Sequence, residues 1–309
     1  MKNTAVIGVG WFGQAHCRIY NEISNLKAIC DSNEVTRRKI AKKYDVNSYP
    51  THSDMLKNEE IDAVSIVLPP EYIPFVAEDL AKHNIDLLLE KPMGIDLDSV
   101  KKLLKYENQI RMTCGFIELF NPVVQRLKNQ IKEIDDILMI SSRRIGRFPH
   151  RHWNHGVILD LGIHEIYIHK TLLGEIEKVE SMLGYFHEGE LKKFEDAAFI
   201  LLKFKNGTNS LIEVNWLTPT KYRKMTIYGK TGVFEVDYNS QELKLVKSTS
   251  ESAERSYRIE THSQPYVFEE PLKRELNSFL YDEKNPVPLK FGVECLEIAI
   301  KALKLSKKD

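Results

Sequence analysis

Four cysteines in 309 residues are too few and too scattered to build a fold on. Cys17, Cys30, Cys114 and Cys295 form no C-x-x-C pair and no framework spacing. Neither a disulfide scaffold nor a cysteine-bound metal is expected, and the usage fits a reducing, cytoplasmic protein. Charge of one sign is equally missing. The 44 Lys+Arg balance 44 Asp+Glu, leaving no basic field or arm to hold nucleic acid. No apolar run approaches the length that spans a bilayer, and a strand that starts within the first residues leaves no room for a signal peptide. Repeats and low-complexity linkers are absent too. What remains is an ordinary soluble composition, 42% hydrophobic and 28% charged, in a chain long enough for two cores.

The opening thirty-one residues carry the densest signal. Ala5-Val6-Ile7 is an apolar run with no polar interruption, as in a strand buried on both faces of a parallel sheet. It enters Gly8-Val9-Gly10-Trp11-Phe12-Gly13, a G-x-G-x-x-G. A helix over 14–24 follows, then a second apolar strand, 27–30, that ends at Asp31. Gly8 permits the tight turn, Gly10 lets the backbone approach a pyrophosphate, and Gly13 lets helix and strand pack closely. The helix N-terminus offers unpaired N–H groups to the phosphates, and Asp31 is placed to accept from the adenosine ribose hydroxyls. Strand, glycines, helix and acid together read as a dinucleotide site. A nucleotide-free βαβ unit explains Gly13 but not three glycines and a terminal acid. Asp31 also favours NAD over NADP, unless Arg37 and Arg38 turn toward a 2′-phosphate.

Strands and helices keep alternating to about residue 120. Helices are expected at 34–44, 74–83 and 98–107, and strands at 48–51, 63–68, 85–89 and 111–117, which argues for a parallel, doubly wound sheet. The character then changes. Asn121-Pro122 opens a helix to about 133, a strand follows near 137–145, and 156–173 reads as a long apolar helix. From 176 to about 246 strands succeed one another, with hairpin signals at Asn206-Gly207 and Lys230-Thr231-Gly232. Helices at 271–281 and 292–304 close the chain. The expected fold is α/β: a doubly wound Rossmann domain over 1–120, then an α+β domain over 121–309 on a large, mostly antiparallel sheet, its closing helix free to pack back on the first domain. Residues 197–204 are apolar at both parities, so one face should pack on the 156–173 helix and the other on a second subunit.

Two groups of residues carry chemistry. Glu90-Lys91-Pro92 stands where the fifth strand leaves the sheet, on the carboxyl edge where doubly wound sheets bind ligands. A lysine there can hydrogen-bond a substrate oxygen, or it can be a surface lysine before a turn proline. Asp160 and His164 lie four apart in an apolar helix, hence on one face. An imidazole suits proton transfer in an alcohol–carbonyl oxidation, though an internal helix hydrogen bond explains the pair equally well. His150, His152 and His155 form an H-x-H-x-x-H around Arg151. It reads as a solvated loop or a substrate contact before it reads as a metal site.

Taken together, the Gly8-Gly10-Gly13 loop, Glu90-Lys91-Pro92, Phe120-Asn121-Pro122, Asp160-x-x-x-His164 and the closing helices resemble the glucose–fructose oxidoreductase / inositol dehydrogenase family from end to end. The resemblance implies that Lys91, Asp160 and His164 converge beside the nicotinamide. There the histidine would serve as base, the lysine would polarise the reacting oxygen and the aspartate would position the substrate. It implies a cofactor-binding set of Gly8, Gly10, Trp11, Phe12, Gly13, Asp31, Leu68, Pro69, Glu90 and Lys91, with Glu118, Asn121 and Arg151 toward substrate and no metal. Residues 117–122, 146–149, 157–164 and 213–219 are similar to the UDP-N-acetylglucosamine 3-dehydrogenase branch. Leu119 stands where that branch commonly has arginine, and 149–155 departs from its usual pattern.

The expectation is a cytoplasmic NAD-dependent dehydrogenase of a sugar, nucleotide-linked or not, forming a homodimer or homotetramer, with no nucleic-acid or membrane partner. Two rivals stand beside it. One is a cofactor-binding sensor or scaffold without turnover, and the other a metal-dependent hydrolase built on the histidine loop.

Overall fold

Six strands make the first sheet: β1 Asn3–Ile7, β2 Asn25–Cys30, β3 Asn47–Tyr49, β4 Ala63–Ile66, β5 Asp86–Glu90 and β6 Met112–Gly115. All pair in parallel, in the order β3-β2-β1-β4-β5-β6. Every residue of β4 is buried, as expected of strands covered on both faces. Some of the helices between them begin at a capping side chain. Asn33 accepts the N–H of Thr36 and Thr51 that of Asp54, each satisfying an orphan donor of the first turn.

The computed structural model describes residues 1–149, 154–188, 193–248, 259–263 and 268–305. They divide into two units: 1–117 with 271–294, and 118–270 with the segment from 295 onward. The sequence expectation assigned everything after 120 to one domain. In the structure the helix Pro271–Tyr281 belongs to the first unit, where Leu272, Leu276, Phe279 and Leu280 join a core of Val6, Ile19, Tyr20, Leu26 and Ile29.

The second unit is built on an eight-stranded sheet: β7 Ile137–Arg147, β8 Ile176–Gly184, β9 Ala197–Phe204, β10 Asn209–Asn215, β11 Leu217–Gly229, β12 Gly232–Asp237, β13 Glu242–Ser248 and β14 Ile259–Ser263. Its order is β14-β13-β12-β11-β7-β10-β9-β8. Only β7 and β10 run parallel; the other pairs are antiparallel. The fold class is thus the one expected, and the hairpins fall at 206–207 and 230–232. One face is mostly apolar, with Ile140, Ile212, Val214, Trp216, Met225 and Ile227 buried alongside Ser142, Arg144 and Ser210. The helix Ile163–Leu173 lies on it. His169 is bonded to Ser142 Oγ of β7 at 2.5 Å and Ser210 Oγ of β10 at 3.0 Å, and Gly162 faces Ile200 closely.

Local departures from the sequence expectation have simple causes. The helix His52–Asn58 was not expected, because it buries only Met55 and shows little apolar periodicity. The expected helix 98–107 is an α-turn, Leu97–Lys101, that tightens to a 3₁₀ segment, Lys102–Tyr106. The expected single helix over 156–173 starts as a π-helical turn, Ile158–Gly162, before its α-helical part. In β9 the pattern is strictly alternating: Ala198, Ile200, Leu202 and Phe204 are buried, whereas Phe199 and Leu201 are about half exposed at 47% and 49%. Among the described residues no helix is long and apolar enough to cross a membrane.

Candidate active site

The glycine loop of the first unit has the shape its residues promise. Gly8 sits at φ +87°, where an L side chain is strained, and a Cβ there would strike the carbonyl of Val67. A Cβ on Gly13 would overlap the carbonyl of Gly8, so helix and loop meet without side chains between them. Gly10 is the opposite case. Nothing lies within 4 Å of its missing Cβ, which leaves the approach to the helix N-terminus open. The helix Trp11–Ile23 begins there with no side-chain cap, so its first N–H groups face that space. This open, uncapped N-terminus fits a pyrophosphate. Trp11 is exposed and Phe12 packs on the core.

Asp31 closes the far side of the loop. Its Oδ2 accepts the N–H of Val9 at 2.9 Å and its Oδ1 that of Asn33 at 2.8 Å. The two arginines that could have welcomed a 2′-phosphate have other partners. Arg37 Nη1 donates to the carbonyl of Asp31 at 2.8 Å, and Arg38 Nη2 pairs with Glu34 at 2.5 Å. Leu68 and Pro69 follow β4, half-buried and exposed respectively. Lys91 is half-buried just past the end of β5. Glu90 is buried, and its Oε2 accepts the N–H of Lys91 at 3.2 Å.

Asp160 and His164 belong to the second unit, and both are buried. The start of their helix is held by Glu195, whose carbonyl accepts the N–H of Val157 at 2.9 Å and whose Oε1 accepts that of Ile158 at 3.0 Å. Gly156 makes room for this cap, since a Cβ there would overlap the Glu195 carboxylate. Asp160 Oδ2 accepts from Trp216 Nε1 at 3.3 Å, and Phe148 packs edge-on against that indole at 5.2 Å. His164 Nδ1 is 2.7 Å from Tyr167 Oη, which accepts the N–H of Glu118 at 3.1 Å. Each member of the pair therefore has its own polar anchor.

A largely buried charge network adjoins them. Arg144, with no exposed surface, donates to Glu118 at 2.8 Å and Glu165 at 2.6 Å. Tyr238 Oη donates to Glu165 at 3.2 Å, and Asn121 Nδ2 to Glu118 at 2.9 Å. Burial opposes both charges of the central pair, but the partners outweigh it. Arg144 and Arg223 keep the Glu118 carboxyl below its ordinary value, and Glu118 and Glu165 hold Arg144 above its own. Burial, and then the Glu165 carboxylate, push the Tyr238 phenol up. Arg223 is the one partly exposed cation of the network, 3.5 Å from Glu118, and is lowered by burial and by Arg144.

The structure brings Gly8, Gly10, Gly13 and Asp31 together in one loop, and Asp160 with His164 on one helical turn. Glu118 and Asn121, expected toward substrate, are buried with their polar atoms engaged by Arg144, Arg223 and the Tyr238 carbonyl. His150, Arg151 and His152 lie outside the described residues, and His155 is buried. Among the described residues no group of three His, Cys, Asp or Glu side chains is placed to hold a metal. Sequence reasoning missed Tyr167, Trp216, Glu195 and Arg144. A signal existed for Tyr167, three residues after His164 on a helix. The others are fixed by strand pairing that no local spacing reveals.

Two family models match the chain: "Oxidoreductase family, NAD-binding Rossmann fold" over residues 2–115, and "GFO/IDH/MocA C-terminal domain" over 124–235. The UDP-N-acetylglucosamine 3-dehydrogenase of Acidithiobacillus ferrooxidans is 26% identical over 237 residues, 76% of this chain and 74% of that protein. A solved structure of UDP-N-acetylglucosamine 3-dehydrogenase GnnA from the same organism superposes with a TM-score of 0.88 at 22% identity, covering 100% of this chain and 99% of that one. Levoglucosan dehydrogenase, solved with NADH and L-sorbose, gives 0.87 at 18% identity, over 99% and 97%. The structural likenesses show a shared fold.

Proposed function

The chain belongs to the GFO/IDH/MocA family of NAD-binding oxidoreductases, and we propose that within it the protein oxidises a secondary hydroxyl of a sugar. Bound NAD supplies the hydride acceptor, so the carbinol carbon loses hydride and its oxygen loses a proton. His164 takes that proton at Nε2, the nitrogen left over by the bond to Tyr167. Lys91 hydrogen-bonds the reacting oxygen and stabilises negative charge as it develops. Asp160, steadied by Trp216, orients the sugar. The observation that carries this reading is the buried Asp160/His164 pair, each member separately anchored on a turn whose start Glu195 holds. Buried ionisable groups are costly, and a core that needed only packing has no use for two on one turn.

Within the sugars, the 3-hydroxyl of UDP-N-acetylglucosamine is the reading supported by the likeness of residues 117–122, 146–149, 157–164 and 213–219 and by the 26% identical relative. A panel of free sugars, sugar phosphates and nucleotide sugars, followed by the absorbance of NADH, tests it. Turnover confined to free polyols would reject the nucleotide sugar. Tight NAD binding with no turnover on any member would favour a sensor.

The same reading makes the enzyme a cytoplasmic homo-oligomer. It is supported by four buried free thiols and by the solvent face of the second sheet. There Met182, Phe199 and Leu201 stand exposed on adjacent strands and would be covered by a second copy. A monomer by light scattering at micromolar concentration would contradict it.

A further inference from the structure

A polar cluster inside the first unit has no part in the reading above. His16, on the helix Trp11–Ile23, is fully buried. Its Nδ1 is 3.0 Å from Ser65 Oγ, which is 2.6 Å from Tyr20 Oη. Its Nε2 stands 3.3 Å from Glu90 Oε1, a close polar approach rather than an aligned hydrogen bond. The other oxygen of Glu90 accepts the main-chain N–H of Lys91. Gly115, paired with Glu90 across β5 and β6, keeps the carboxylate's place, since a Cβ there would stand 2.8 Å from Oε1.

Proton bookkeeping gives the cluster one direction. A carboxylate only accepts, so the tautomer with hydrogen on Nε2 is the one that faces Glu90. Nδ1 is then the acceptor, served by the hydroxyl of Ser65, which in turn accepts from Tyr20. Each donor then faces one acceptor, and the chain ends on the residue before the lysine. A histidine that only filled space would be less favourable than leucine, because a buried imidazole loses its water and needs polar partners in return.

We propose that His16 is a positioning residue for Lys91: through Glu90 it ties the helix behind the glycine loop to the strand end that presents the lysine. This rests on the reading that Lys91 takes part in the reaction. The helix that starts at the open N-terminus of the loop and the strand end that carries the amine are then set in one frame, so cofactor seat and polarising group keep a fixed spacing.

The test uses the full chain with His16→Leu, His16→Gln, Lys91→Ala and the double variant His16→Leu/Lys91→Ala. Turnover is measured on the best sugar of the panel. The acetylation rate of Lys91 by acetic anhydride is measured by peptide mass spectrometry, with exposed Lys57 as the internal reference. His16→Leu should lower turnover about tenfold, as for a lost polar contact with a charged group, and His16→Gln, whose amide can donate to Glu90, should restore most of it. The Lys91 acetylation rate should change in His16→Leu and not in His16→Gln. In the Lys91→Ala background His16→Leu should cost nothing more, because coupled residues are non-additive. Equal losses in both backgrounds, or wild-type turnover and labelling in His16→Leu, overturn the proposal. Full turnover in Lys91→Ala would instead remove the lysine from the reaction, while the labelling rate still reports whether His16 positions it. Should His16→Leu fail to fold, Ser65→Ala breaks the Nδ1 bond alone and is expected to move both readouts the same way; no movement in either rejects the proposal.

Discussion

Tyr167 Oη lies 2.7 Å from His164 Nδ1 while accepting the main-chain N–H of Glu118, so the imidazole is oriented by a phenol rather than by a carboxylate. A phenol has one hydrogen and two lone pairs. With one lone pair given to the N–H of Glu118, its other accepts from Nδ1–H, which the neutral ring carries when Nε2 is the base and which the imidazolium keeps. Tyr167 therefore stays bonded to His164 before and after a proton arrives at Nε2, without adding a negative charge to the site.

Replacing Tyr167 by Phe keeps the ring and removes the acceptor for Nδ1–H. It also strands the buried N–H of Glu118, which should cost about 1–3 kcal/mol of stability. Turnover should fall while NAD affinity stays unchanged. Calorimetry and titration with NAD check both; an unaltered melting temperature and rate would show that the phenol is idle.

His164→Ala should lower turnover by ~10²–10⁴-fold with near-normal NAD binding, the range for loss of a positioned acid–base group. If the histidine only bridges its own helix, melting temperature drops and the folded fraction turns over normally. Measuring both on one preparation decides between them.

NAD should bind more tightly than NADP. A 2′-phosphate about 4 Å from the Asp31 carboxylate would meet repulsion of roughly 4 kcal/mol at an effective dielectric of about 20, and Arg37 and Arg38 are engaged elsewhere. Dissociation constants for the two cofactors test this, and parity between them would defeat it.

Gly156→Ala places a methyl group where the Glu195 carboxylate sits. The cap on the helix that carries Asp160 and His164 must then shift. Overpacking of this kind typically costs about 1–3 kcal/mol, and turnover should fall with stability. Wild-type values of both would mean that the loop yields freely.

Two buried groups should make stability fall with acid, over windows that begin at different pH and overlap below 4.5. Burial depresses His169 from its ordinary 6.5 to about 3. The folded state resists its protonation, so stability declines as pH drops below 6.5 and continues to decline toward 3. Glu118, held below its ordinary 4.5 by Arg144 and Arg223 despite burial, adds stability that is present above 4.5 and is lost as pH falls through its lowered folded value. Denaturant midpoints between pH 7 and 3 should show both slopes. His169→Gln should flatten the upper one only; an unchanged slope would assign it to other groups.

Much of the fold was legible because its signals are local. Gly8, Gly10 and Gly13 each answer a steric demand within a few residues of their own position, and Asp31 ends the very next strand. Asp160 and His164 were legible by helical spacing alone. The frame that holds them was not. Arg144 meets Glu118 and Glu165 only because β7 passes beneath the helix Ile163–Leu173, and Trp216 reaches Asp160 from a different strand pair. Such contacts are set by register and crossover, which single-sequence periodicity does not encode. His16 was hidden for a further reason. On an amphipathic helix it occupies a position where an apolar residue is the ordinary expectation.

The helix Pro271–Tyr281 gives four side chains to the core of the first unit, although that unit's sheet is complete by Gly115. During synthesis the nucleotide-binding unit must therefore wait, with part of its core uncovered, until residues 271–281 have left the ribosome. A fragment cut after the last strand of the first sheet should be a poor folder and prone to aggregate, since part of its core is supplied by residues 271–281.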